Sequence, residues 1–108
     1  MLHLSISNHY KSDRKERDRV IREEIGGYGK PIARFENIDK GHANGPEIHV
    51  VTDTGIIIVF NQKTKVMCTT KIARPAQIYN LYDRENRTPP KKVIELAREH
   101  QAKGYHLL

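Results

Sequence analysis

Between residues 47 and 72 the chain holds three runs of about five to eight residues rich in β-branched side chains, separated by two tight polar turns. The first run is EIHVVT, residues 47–52, with Ile48 and Val50 on one face and Glu47, His49 and Val51 on the other. The turn Asp53-Thr54-Gly55 follows, its glycine suited to a left-handed backbone. The second run, residues 56–60 (IIIVF), is apolar at every position, so both of its faces must be covered. After a turn at residues 61–64 comes the third run, residues 65–72. There Val66, Cys68, Thr70 and Ile72 are expected on one face, the more buried one, and Lys65, Met67, Thr69 and Lys71 on the other. Three such strands joined by two short turns form an antiparallel meander.

The flanks supply helices. Leu2, Leu4 and Ile6 alternate with polar residues as in a short strand. Ser12 is placed to N-cap a helix that runs to Ile25 and stops at Gly26-Gly27, with a narrow apolar stripe of Val20, Ile21 and Ile25. Residues 31–35 read as a further strand and residues 40–46 (KGHANGP) as a loop. Past the break at Arg74-Pro75, residues 76–82 suit a short helix or turn and residues 83–87 a loop. Thr88 and Pro89 look like the N-cap and first residue of a last helix, Gly104 like its stop, and residues 105–108 like a final strand. The expected fold is α+β: a small antiparallel sheet with an N-terminal and a C-terminal helix packed outside it, as a single domain over residues 1–108.

Charge then narrows the function. The net charge is +6. Residues 1–60 and residues 93–108 are each balanced. Residues 61–92 hold Lys63, Lys65, Lys71, Arg74, Arg84, Arg87, Lys91 and Lys92 against only Asp83 and Glu85, and so carry the whole excess. A polyanion would meet that region first, which points to RNA or another nucleic acid as partner. Tyr79 and Tyr82 fall inside it and could stack on unpaired bases. The single cysteine, Cys68, permits no internal disulfide and suits a reducing compartment. The start of the chain lacks the apolar run of a secretory leader, and the longest apolar run is far too short to span a bilayer. A cytoplasmic location, with no membrane partner, is the expectation.

Most chemistries lack their residues. There is no HExxH and no Cys/His cluster, so no metal is expected; there is no GxSxG, P-loop or GxGxxG, so no cofactor is expected. Metal-free RNA cleavage, in which the ribose 2′-OH attacks its own 3′-phosphate, needs a proton acceptor, a proton donor and cations around the phosphate. His42 on the glycine-rich loop and His49 on the following strand suit the proton steps. Lys71 and Arg74 suit the phosphate charge, and Thr69 a hydrogen bond to it.

The stretch HANGPEIHVVTDTGIIIVFNQKTKVMCTTKIARPAQIYNLY, residues 42–82, resembles the compact metal-independent RNases that include barnase, colicin-type tRNases, EndoU-like nucleases and RelE-type toxins. The resemblance implies an RNA-cleaving, toxin-like protein of a phage or mobile element, with a histidine and a Lys or Arg on the sheet face and a neutralising protein partner. No individual role is carried over, because these families vary their catalytic residues. Two other classes fit the same charge: a non-catalytic nucleic-acid-binding accessory protein, and a small phage-type inhibitor that binds another protein.

Overall fold

The structure is a computed structural model that describes residues 14–41 and 43–108. The expected strand at residues 2–6, the Ser12 cap and His42 lie outside the described residues. Helix α1 is described over residues 14–25: regular to residue 20, then a wider π turn over Ile21–Ile25. It ends where the sequence indicates. Gly26 takes φ +97°, and the amides of Gly26 and Gly27 both bond to the Ile21 carbonyl, at 3.0 and 2.7 Å.

Four strands follow: β1 (Pro31–Ile38), β2 (Glu47–Thr52), β3 (Ile56–Asn61) and β4 (Met67–Ile72). They pair in chain order, each antiparallel to the next. The meander is therefore as expected, and its frame is an α+β fold. Helices α2 (Pro75–Asp83) and α3 (Lys91–Ala102) come next, then a 3-10 turn, Tyr105–Leu107.

Both faces of the sheet carry apolar cover, and β3 is apolar from Ile56 to Phe60, with Ile58 and Phe60 half-buried where the cover from α1 ends. On one face Phe35, Val51, Ile57 and Val59 pack against Ile78, Leu81 and Tyr82 of α2 and Val93, Ile94 and Ala97 of α3. On the other, Ile56 and Ile72 pack against Val20 and Ile21 of α1, with Tyr105 and Leu108 closing the cluster. Fully burying each Val, Leu, Ile or Phe side chain among these contributes about 1.5–3 kcal/mol.

Four local expectations are corrected. β4 begins at Met67, two residues late, because Lys65 turns through φ +63°. Val59 pairs with Thr69 but Phe60 with Met67, so Cys68 is the extra residue of a bulge. Cys68 is consequently exposed rather than on a buried face. α3 begins at Lys91 with Pro90 as its N-cap, not at Thr88. Thr88 and Pro89 each precede a proline, which keeps both from the helical region. Residues 105–108 form a 3-10 turn and not a strand.

One more contact shapes the sheet. β4 is an edge strand, and two arginines of α1 occupy its free carbonyls: Arg14 bonds Cys68 O at 3.2 Å, and Arg17 donates to Thr70 O. Arg17 is only 8% exposed.

Candidate nucleic-acid site

Strand alternation places Glu47, His49 and Val51 on the α2/α3 face, and cross-strand register sets Val59 and then Thr69 beside His49. Ile57 and Lys71 form the next row. The helices do not cover this corner completely. A cleft remains there, floored by His49, Ile57 and Lys71 and walled by Gln77 and Asn80 of α2 and by Arg84, its C-cap, with Lys40 from the β1–β2 loop. A shallower continuation is lined by Lys40, Glu47, Thr69 and Lys71. The cleft volume is about 180 Å³. Small-molecule sites usually run to roughly 300–1,000 Å³. The space suits one group of a larger ligand better than a free cofactor.

His49 is 4% exposed, and its Nε2 lies 3.0 Å from Glu47 Oε1. A carboxylate only accepts, so Nε2–H donates, and in the neutral ring Nδ1 keeps the lone pair. Burial holds the His49 pKa below its ordinary value; hydrogen bonding to Glu47 opposes this, and the charges of Lys71 and Lys40 add to it. At neutral pH His49 is an acceptor. Lys71 is also pushed down, first by burial and then by Lys40 and Arg17, with Glu47 pulling the other way. Its ammonium gives up a proton more readily than an exposed lysine does.

Of the residues singled out from the sequence, the fold brings together His49, Thr69, Lys71 and Arg84. Arg84 also donates to Asn37 O at 3.2 Å, which ties the end of α2 to β1. Arg74 is exposed at the N-cap of α2, where its backbone amide bonds Gln77 Oε1 at 2.9 Å; it does not line the cleft. Lys63 and Lys65 sit on the β3–β4 hairpin turn, and Lys91 and Lys92 are exposed at the start of α3. Arg87 pairs with Glu85 at 3.1 Å and lies over the rings of Phe35 and Tyr82, 5.3 and 5.1 Å from their centroids.

Tyr82 overturns its expectation. It is 3% exposed and packs edge-on to Phe35 with ring centroids 5.0 Å apart, so it anchors α2 and has no face for a base. It lies four residues after Ile78 and so shares the core stripe of the helix. Tyr79 is 40% exposed and keeps that possibility.

Lys40, Glu47, Arg17, Gln77 and Asn80 were not singled out as site residues. Glu47 was within reach, since residues two apart on a strand share a face. The others depend on how a loop and two helices dock, which strand periodicity does not encode. Comparisons with protein-family models, with curated proteins and with solved structures find no match to this chain. Among the described residues no helix is long and apolar enough to cross a membrane.

Proposed function

We propose that this protein binds RNA in the cleft beside α2 and cleaves it without a metal, in the cytoplasm. The carrying observation is the His49–Glu47 hydrogen bond, its histidine buried, in a corner that also holds Lys40, Lys71 and Arg84. The 2′-OH proton passes to His49 Nδ1, with Glu47 holding the ring and offsetting the imidazolium charge. The 2′-oxygen then bonds to phosphorus as the P–O5′ bond breaks, and Lys71 supplies the proton to the departing 5′-oxygen. Arg84 and Lys40 balance the charge that gathers on the phosphate. The products are a 2′,3′-cyclic phosphate and a 5′-hydroxyl.

The test is incubation with mixed-sequence RNA in EDTA, scoring fragments with cyclic phosphate ends. His49→Ala should lower cleavage by about 10²–10⁴-fold and leave binding nearly unchanged. A second reading, a non-catalytic RNA-binding protein, is favoured by the 4% exposure of His49, which leaves little of the ring within reach of a substrate. Binding that weakens steeply with salt, without any fragments, selects it.

A further inference from the structure

The cleft does not end at Lys71. Over the outer edge of β4 lies a recess lined by Arg17, Thr69, Lys71, Gln77 and His106. Lys71 and Gln77 line both spaces and form the partition between them. His106 comes from the C-terminal 3-10 turn, which the Tyr105 and Leu108 side chains hold against the α1 side of the sheet.

Three observations give the recess one chemical character. Among the described residues no Asp or Glu lines it. Lys71 and Arg17 bring positive charge, and neither makes an ion pair among the described residues. His106 Nδ1 is the one buried side-chain nitrogen or oxygen without a hydrogen-bond partner among the described residues. A polar atom buried without a partner costs about 1–3 kcal/mol, so Nδ1 makes no contact with a ligand and the ring meets the recess through Nε2. Nε2, the ring nitrogen that is not buried in this way, is the one open to a ligand and can donate an N–H to it.

We infer that this recess is a phosphate site, in which His106 Nε2–H holds a phosphate group under the positive field of Arg17 and of the neighbouring Lys71. Resting on the RNA-cleavage reading, its occupant is the phosphate next to the scissile one, so the substrate is an oligonucleotide running along the edge of β4. His106 is a binding residue for that phosphate and takes no part in proton transfer.

Two measurements test this, and the first does not depend on cleavage. Inorganic phosphate is titrated while the His106 ring is followed by ¹H–¹⁵N NMR. Saturable shifts at His106 that persist in His49→Ala are expected; a ring that does not respond overturns the site. The second compares dinucleotides with and without an added terminal phosphate, as substrates in EDTA. In the wild type the extra phosphate at one end should lower KM about tenfold, equivalent to about 1.4 kcal/mol of binding. His106→Phe should abolish that advantage with kcat on the plain dinucleotide unchanged, and His106→Gln, which restores an N–H, should recover part of it. An advantage that survives His106→Phe, or none in the wild type, overturns the inference. Phosphate binding at His106 without cleavage of any dinucleotide would sink the nuclease reading and leave the phosphate site standing.

Discussion

Replacing Gly29 by alanine should destabilise the protein far more than the same change at Gly104, although both glycines have a left-handed backbone. Their φ angles are +82° and +76°. An L-residue in that region costs about 1–2 kcal/mol at either position. At Gly104 a new Cβ meets nothing within 4 Å. At Gly29 it would lie 2.3 Å from Asp53 Oδ1 and 2.8 Å from both Oγ1 and Cγ2 of Thr54. Those two side chains clamp the α1–β1 connection onto the β2–β3 turn: Asp53 Oδ1 accepts from the Lys30 amide at 2.8 Å, and Thr54 Oγ1 donates to Tyr28 O at 2.8 Å. Relieving the clash means giving up both bonds, about 1.5 kcal/mol for the charged acceptor in its exposed setting and about 1 kcal/mol for the hydroxyl. The total is about 4 kcal/mol at Gly29 against about 1.5 kcal/mol at Gly104. Urea denaturation resolves such a gap as a shift in midpoint at constant slope. Equal destabilisation by the two substitutions would refute the clamp.

His49 binds its proton more weakly in the folded protein than in the unfolded chain. As pH falls below the ordinary histidine value of about 6.5, the unfolded chain takes up a proton that the fold resists. Stability should thus fall through that window down to the lowered folded value and be insensitive to His49 above it. Urea midpoints at pH 7.5 and 5 should converge when His49→Phe is compared with wild type. Lys71→Met removes a half-buried ammonium that faces Lys40; it should raise stability by about 0.5–1 kcal/mol and reduce the salt slope of RNA binding by about one. Tyr82→Ala should cost about 3–5 kcal/mol by calorimetry. Tyr79→Ala should stay within about 0.5 kcal/mol of wild type.

The meander was legible because alternating residues and a turn glycine act locally. Val51 and Ile57 face each other as their periodicity requires. Alternation set His49 with Glu47 on one strand and Thr69 with Lys71 on another; the cross-strand register puts them on one face of the sheet. Cys68 was expected on a buried face because nothing in the local composition marks the bulge that exposes it. The start of α3 is readable from Pro89-Pro90, because the restriction on a residue before proline outweighs the capping preference of Thr88. Tyr82 could have been placed by phase with Ile78. The walls of the cleft could not, since Gln77, Asn80 and Arg84 reach it only through the angle at which α2 docks, a property of the assembled core.

The arginine contacts along β4 bear on how this molecule behaves at high concentration. An uncapped border strand invites a neighbouring chain to extend the sheet, the first step toward fibrils. Here guanidinium groups from α1 already engage the carbonyls that such a chain would seek. On the opposite border β1 carries register breaks after Pro31 and after Phe35, which spoil it as a template. Loosening α1, for instance by proteolysis or by Arg17→Ala, would unmask β4 and turn a self-limiting sheet into one open to self-association.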